Sequence, residues 1–434
     1  LSAFQGFRGS EAEPSIAREP KRFPWNAGTM ETLNFGTQSG RATPVMTTAC
    51  SGGPGEKDKT SGVAVTCSHD VAQSLEEADH SVSVVIPSWN GLHLLDENLP
   101  SVLSAVERYE KRTRAEIEIV VVDDGSVDGT VDRLSPRFPE VNWVPLPENL
   151  GFAGACNRGV AVASKTWVAL LNNDVRVDPD YFLHLAEHFG DPEVFAVGAK
   201  AYEWDSSFLA VGGRYGRFRN GFWRVYFNYD IEGPAARRWV DERRLLSVYA
   251  VGGFATYRRR GLMQLGGFNE VLAPFHWEDV DLSYRGWKAG WEVRYEPRSK
   301  VWHRTSATIG PRFSVQQVEE VALRNRLLFH WVNLHAPGWL ACHLVALPAL
   351  LLGRTLAGDL GALRAVRSAL RLLPEALKRR REERNRSRQS DRKVARRLQS
   401  FYSSAPIHVY YDRGQILREH WEAREAAERC HHYV

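Results

Sequence analysis

Val82-Ser83-Val84-Val85-Ile86-Pro87-Ser88-Trp89-Asn90 decides the fold, and Ile117-Glu118-Ile119-Val120-Val121-Val122-Asp123-Asp124-Gly125-Ser126 answers it further along the chain. Each is a short apolar run that ends in polar turn residues. Runs without alternation read as strands buried on both faces. Between them, Leu94 to Arg108 sets Leu95, Leu99, Val102, Leu103 and Val106 on one helical stripe. The pattern then repeats. Val141 to Leu146 reads as a strand, Asn149 to Ala163 as a small-residue helix, Trp167 to Leu171 as a strand and Pro179 to Phe189 as a helix. Strand and helix in short alternation predict an α/β fold with a mainly parallel central sheet. Ligands of such sheets bind beyond the carboxyl ends of the strands. Three strand ends here carry Ser88-Trp89-Asn90, Asp123-Asp124-Gly125-Ser126 and Asn172-Asn173-Asp174.

Outward from this segment the chain changes character. Residues 1 to 80 are rich in Gly, Ser, Thr and Pro and lack apolar periodicity, which predicts a disordered extension. The chain opens on Leu1 with no basic-then-apolar leader and reads as a fragment or an extended reading frame. Residues 194 to 303 mix short strands, aromatics and glycine pairs such as Gly252-Gly253 and Gly266-Gly267, as in a region that completes a site. Ser314 to Val332 is a predicted helix. Residues 331 to 353 then carry no Asp, Glu, Lys or Arg. A bilayer span needs about 20 apolar residues. Asn333, His335, Pro337, His343 and Pro348 interrupt this run, so a segment lying on or re-entering the membrane is the preferred reading over a full span. The basic run Lys378 to Arg397 reads either as a solvated helix or as a face for anionic head groups. The organisation expected is an extension (1–80), a catalytic α/β domain (81–310) and a helical, membrane-associated C-terminal region (311–434).

Bulk properties narrow the function classes. A chain of 434 residues buries a sizeable core, and a net charge of +4 does not suggest a nucleic-acid partner. Cys50, Cys67, Cys156, Cys342 and Cys430 include no closely spaced pair, against a disulfide framework and in keeping with a reducing, cytoplasmic compartment. Most of the 14 tryptophans are read as packing residues.

Taken singly, the polar residues have plain structural readings. Asp123-Asp124-Gly125-Ser126 could be a capped turn, Asp174 an Asx turn, and Glu278-Asp279 an acidic pair at the positive end of a helix. Together, five elements in order resemble glycosyltransferase family 2. They are the Val84–Asn90 and Val121–Thr130 stretches, Asn149-Leu150-Gly151-Phe152-Ala153-Gly154-Ala155-Cys156-Asn157-Arg158-Gly159, Leu171-Asn172-Asn173-Asp174, and Trp277-Glu278-Asp279-Val280-Asp281-Leu282. They cover about residues 82 to 305, and the resemblance is to the rhamnosyltransferase-like branch.

The resemblance implies a GT-A nucleotide-diphospho-sugar transferase sandwich and an inverting, metal-dependent glycosyltransferase. Its donor would be a UDP- or dTDP-sugar, with rhamnose suggested by the branch. Its acceptor would be a hydroxyl of a lipid-linked or cell-surface glycan, reached at the inner face of the plasma membrane. Nucleotide-binding positions carried over are Pro87, Trp89, Asp123, Asp124, Asn157 and Asn173. Trp89 would pack on the base, and Asp124 would accept its imide N–H. Asp174, with His303, would hold Mn2+ or Mg2+ against the diphosphate. Asn172 stands where the family has the first Asp of its Asp-x-Asp element. Asp279 would be the base, with Glu278 beside it. Gly252, Gly253 and Asp281 would shape the donor and acceptor pocket. The Gln-x-x-Arg-Trp element of processive synthases does not appear; the region reads Arg324-Asn325-Arg326-Leu327-Leu328, which favours transfer of one or a few sugars. Two other readings are a nucleotidyltransferase on a related sheet and a non-catalytic nucleotide-sugar-binding protein at the membrane. The first lacks a Gly-rich basic loop after its first strand. The second is opposed by the intact Asp124, Asp174 and Asp279.

Overall fold

In the computed structural model, residues 79–231, 233–304, 312–356 and 358–411 are described. The extension expected over residues 1–80 falls almost wholly outside them, as do Cys50, Cys67 and Cys430. The first half runs β1 (Val82–Ser88), α1 (Leu92–Thr113), β2 (Ile117–Asp123), α2 (Thr130–Leu134), β3 (Val141–Pro145), α3 (Gly151–Val162), β4 (Trp167–Leu171), β5 (Val175–Val177) and α4 (Tyr181–Ala186). Then come β6 (Val194–Glu203), β7 (Leu209–Val211), β8 (Gly213–Arg219), β9 (Phe222–Ile231), α5 (Pro234–Asp241), β10 (Phe254–Arg258), α6 (Arg259–Leu265), α7 (Glu278–Ala289) and β11 (Glu292–His303). The chain continues through α8 (Val315–Asn333), α9 (Pro337–Leu356), α10 (Gly361–Arg371), α11 (Leu373–Arg386), α12 (Asp391–Ser404) and β12 (Ile407–Tyr411).

The main sheet has the order β3-β2-β1-β4-β10-β6-β11-β5, with β7 on β6. The run β3-β2-β1-β4 is wholly parallel, and so is β6 with β11; β10 lies antiparallel between β4 and β6. This is the α/β sandwich expected of the GT-A fold. Alternate residues of β1 supply two cores. Val82, Val84 and Ile86 pack with Leu95, Leu99, Val102 and Tyr109 of α1, while Val85 packs with Ala153, Cys156 and Val160 of α3. Burial of such side chains stabilises by about 1.5–3 kcal/mol each. Gly159 sets how closely α3 seats on the sheet: a Cβ there would lie 2.2 Å from Cγ1 of Val85.

Beyond residue 194 the structure adds what periodicity did not separate. Strands β8 and β9 form an antiparallel hairpin, and β12 returns from the far end of the chain to pair with β9. The boundary expected at residue 310 divides parts of one core. Leu323, Leu327 and Leu328 of α8 and Val394, Leu398 and Phe401 of α12 cluster with Tyr229, Tyr284 and Trp287. The charge-free segment 331–353 also divides. Trp331 and Val332 are buried at the end of α8, whereas α9 is a separate helix, long and apolar enough to cross a membrane by length and composition, with little of it covered. Part of the basic run is structural. Arg380 donates to the Trp331 carbonyl at 2.7 Å, and Arg379 and Arg386 both pair with buried Glu383.

Candidate active site

Two loops that leave adjacent parallel strands build the floor of the site. The Asp124 amide donates to the Ser88 carbonyl (2.8 Å), Asn90 N–H to Ser126 Oγ (2.7 Å), and Val127 N–H to Asn90 Oδ1 (2.8 Å). The ends of β1 and β2 are thereby tied together, with half-buried Trp89 beside Pro87 at the lip. The guanidinium of Arg312 lies 4.2 Å from the centre of the Trp89 ring, a cation–π contact. Gly91 is dictated by its surroundings. A Cβ would lie 2.3 Å from Asn173 Nδ2 and 2.4 Å from Ser88 Oγ, the atoms of a 2.9 Å hydrogen bond that links β1 to the loop after β4.

Asp124 occupies the positive end of α3. Its carboxylate accepts from the amides of Leu150 (2.7 Å) and Gly151 (3.0 Å), two of the donors that a helix start leaves unpaired. Burial nevertheless raises its pKa above the ordinary carboxylate value, because desolvation outweighs the pull of those amides. A carboxylate has about four acceptor positions, so two further hydrogen bonds can reach it from the crevice. Asp123 accepts from Ser126 N–H at 3.3 Å through Oδ2, and its buried Oδ1 has no hydrogen-bond partner.

After β4, the Asn173 carbonyl accepts from Asn98, and Asp174 projects with only 6 % of its side chain exposed. His303, the last residue of β11, brings Nε2 to 3.3 Å from Asp174 Oδ1. That oxygen lacks a well-aligned hydrogen bond and is a buried acceptor awaiting a partner. One carboxylate and one imidazole suit a divalent ion that takes its remaining oxygen ligands from a diphosphate and water. Among the described residues no group of three or more metal-ligating side chains gathers. Asn172, by contrast, is used by the fold: its N–H donates to the Gly253 carbonyl at 2.8 Å, and a Cβ on Gly253 would lie 2.6 Å from its amide nitrogen.

The acidic pair opens α7 through a strained turn. His276 and Trp277 both hold left-handed backbone, at φ +72° and +74°. Such conformations cost roughly 1–3 kcal/mol each in non-glycine residues and persist where the surroundings impose them. Asp279 accepts from Val280 N–H at 2.7 Å and from Gly252 N–H at 3.4 Å, which sets Gly252 against the acidic pair. Glu278 Oε2 is buried and unpartnered. Burial, and then the Asp279 charge, push the Glu278 carboxyl well up; burial also raises Asp279 against the pull of its two amides.

A chain of contacts links these groups beyond the carboxyl ends of β1, β2 and β4. The Phe152 amide, one residue past the helix start that Asp124 caps, donates to the Pro274 carbonyl at 3.4 Å. The Phe152 ring lies 3.4 Å from where a Gly252 Cβ would stand, with the Asp279 Cβ at 3.5 Å from the same point. Cys156 sits buried beneath, its thiol pushed up by burial and by the charges of Glu278 and Asp124. Asp174 joins through Asn173 and Ser88.

Two expected site residues point elsewhere. Asp281 pairs inward, Oδ2 accepting from Arg285 Nε (2.7 Å) and Oδ1 from Asn333 Nδ2 (2.6 Å), and with none of its surface exposed no ligand can reach it. Asn157 spends its amide on the Phe268 backbone (2.8 and 3.0 Å) and on Glu270 (2.7 Å) and ties α3 to that loop. Asn98 and Arg312 belong to no motif in the sequence, whereas Ser88 and Phe152 lie inside motifs that assign them no role. A cavity of about 640 Å³ lined by Trp239, Arg243, Arg294 and Arg397 includes none of the crevice residues.

Residues 83–266 match the family model described as Glycosyl transferase family 2. An N-acetylglucosaminyl-diphospho-decaprenol L-rhamnosyltransferase of Mycobacterium tuberculosis is 29 % identical over 217 residues, 46 % of this chain and 70 % of the relative. A poly-beta-1,6-N-acetyl-D-glucosamine synthase of Staphylococcus aureus is 26 % identical over 236 residues, 53 % of this chain and 51 % of the relative, so the chain spans about half of that protein. Among solved structures, a mannosyltransferase from Pyrobaculum calidifontis in complex with GDP-Man and Mn2+ superposes with a TM-score of 0.41 at 18 % identity, over 77 % of this chain and 93 % of the other.

Proposed function

Because residues 83–266 belong to glycosyltransferase family 2 and the chain is a glycosyltransferase, we propose that it moves one sugar, with inversion, from a nucleoside-diphosphate donor to a hydroxyl of a lipid-linked glycan. The observation that supports this reading is the chain of contacts that links Asp124, the Asp174–His303 pair and Asp279 at the carboxyl ends of the parallel strands. Trp89 offers a flat face to the nucleobase, and Asp124, oriented by the α3 amides, accepts the imide N–H of a uracil or thymine ring. Pro87, Asp123 and Asn173 shape the nucleotide side of the crevice. Asp174 and His303 would hold Mn2+ or Mg2+, which when bound would offset the charge of the diphosphate. Asp279 takes the proton of the acceptor hydroxyl as its oxygen bonds to the anomeric carbon. The bond from that carbon to the diphosphate oxygen breaks on the opposite face, and the nucleoside diphosphate leaves with the electron pair. A UDP- or dTDP-sugar fits the imide recognition, and rhamnose is the sugar transferred by the mycobacterial relative.

The acceptor side of this reading draws support from α9. Val345 and Leu352 are 77 % and 62 % exposed, and Leu363, Leu370 and Leu377 of α10 and α11 are exposed as well. Arginines 364, 367 and 371 stand among them. Apolar side chains with interspersed arginines suit the head-group boundary of an anionic membrane and support a position at its inner face.

The test is sugar-nucleotide turnover by the full chain against a panel of UDP- and dTDP-sugars with and without Mn2+. Metal-stimulated release of the nucleoside diphosphate is expected. Asp279→Asn should lower kcat by about 10²–10⁴-fold with nucleoside-diphosphate affinity kept. A folded protein that turns over no sugar nucleotide, or an Asp279→Asn variant at the wild-type rate, overturns the reading.

A further inference from the structure

The segment that delivers Glu278 and Asp279 to the crevice is held from outside itself. Between the turn Glu270–Leu272 and the start of α7, the chain passes through Ala273 to Trp277, with two successive left-handed residues at 276 and 277. Its carbonyl groups are collected by two neighbouring side chains of α8. The amide nitrogen of Asn325 lies 2.8 Å from the Phe275 oxygen and 2.9 Å from that of His276, and it also reaches the Leu272 oxygen. The Arg324 guanidinium bonds the Ala273 carbonyl. Arg324 Nε in turn donates to Asn325 Oδ1 at 2.9 Å, which leaves the Asn325 NH2 facing the loop. Asn325 is completely buried, so water cannot replace these bonds.

Resting on the function proposed above, we infer that Arg324 and Asn325 form a clamp that positions the base: they touch no substrate but fix where Asp279 stands. The geometry gives them a specific part. A buried amide donor shared among three carbonyls locks the turn in the left-handed path that its own side chains disfavour. The last carbonyl in its grip belongs to His276, three residues before Asp279.

The experiment uses the full chain and its best sugar nucleotide. Asn325→Asp keeps the shape but turns a donor into an acceptor facing carbonyl oxygens; Arg324→Met keeps the stem and removes the cation. A displacement of about 1 Å at a reacting group costs on the order of 10²-fold. Asn325→Asp is therefore expected to lower kcat by about that factor, while the Kd for the nucleoside diphosphate stays within about twofold. The acidic limb of its kcat profile should move to lower pH as Glu278 and Asp279 lose their enclosure. Arg324→Met should change kcat and the pH limb in the same directions, by less. If Asn325→Asp does not fold, Arg324→Met decides, since its half-buried side chain lies at the rim of the clamp. Wild-type kcat in a folded variant overturns the inference, and so does an equal loss of kcat and nucleotide affinity, the mark of general damage. An inactive wild-type enzyme instead sinks the proposed function and the clamp falls with it.

Discussion

Replacing Asp281 by alanine should unfold the protein before it harms the chemistry. The side chain is fully buried, one turn into α7, and holds Arg285 at 2.7 Å and Asn333 at 2.6 Å. Removing one member of a buried ion pair costs about 3–5 kcal/mol because the other charge is stranded. Arg285 keeps two carbonyl partners, Leu265 at 2.9 Å and Gly267 at 2.8 Å, which favours the lower end of that range. The orphaned Asn333 amide adds about 1 kcal/mol. The sum is about 4 kcal/mol, and at roughly 2–4 °C per kcal/mol for a large domain Tm should fall by about 8–16 °C. Calorimetry or a thermal-shift melt reads this directly. Arg285→Met added to Asp281→Ala should recover part of the loss, since no charge is then left unpaired. Below its lowered Tm, Asp281→Ala should bind nucleoside diphosphate as wild type does. A variant that melts within about 2 °C of wild type, well inside the loss expected for a buried pair, yet loses activity more than tenfold would refute the structural role and return Asp281 to the acceptor pocket.

Three further outcomes are expected. Glu278 is raised well above its ordinary 4.5, so its contribution to stability is full below that pH and is lost as pH rises through the folded value; Glu278→Gln should therefore raise Tm at pH 7–8 and leave it unchanged near pH 4, with thermal melts across pH as the check. His303→Ala and Asp174→Asn should each raise the Mn2+ concentration needed for half-maximal nucleotide binding by at least about tenfold, the scale of losses seen even for groups outside a metal's ligand sphere; calorimetric titration with Mn2+ would show it. The double variant Val345→Asp, Leu352→Asp should lose co-sedimentation with phosphatidylglycerol vesicles while Tm moves by no more than about 1–2 °C, because both side chains already stand in solvent.

The sheet was legible because its central strands are buried on both faces. Val82–Ile86 and Ile119–Val122 show no polar alternation, and the acids that follow them had to lie at the ligand edge of any parallel sheet. What could not be read depends on what lies across from a residue. Asp281 and Asp279 stand in the same acidic turn, yet one faces Arg285 and Asn333 and the other the crevice. Asn157 belongs to a motif but serves a loop more than a hundred positions away. The same holds for the apolar segment: composition makes Trp331 and Val345 alike, and only packing buries the first and leaves the second 77 % exposed. Strand β12 was hidden because its partner β9 lies on the far side of the C-terminal helices in sequence.

The choice of Asp279 over Glu278 as the proposed base rests on hydrogen bonding rather than on order in the motif. Glu278, Asp279 and Asp281 crowd the first turn of α7, where the helix dipole favours each anion by only about 0.3–1 kcal/mol. Asp281 is matched by Arg285 and drops out of the competition. The remaining two are raised together by burial and by each other, so the pair retains a proton more readily than either acid would alone. That proton belongs on the acid with less to lose. Asp279 is held as an anion by the amides of Val280 and Gly252, whereas Glu278 Oε2 has no donor. Hydrogen bonding thus favours the shared proton on Glu278 and the charge on Asp279. The same two amides oppose the rise that burial imposes on Asp279, whereas Glu278 is pushed well up by burial and by the Asp279 charge, an ordering that suits Asp279 as the proposed base.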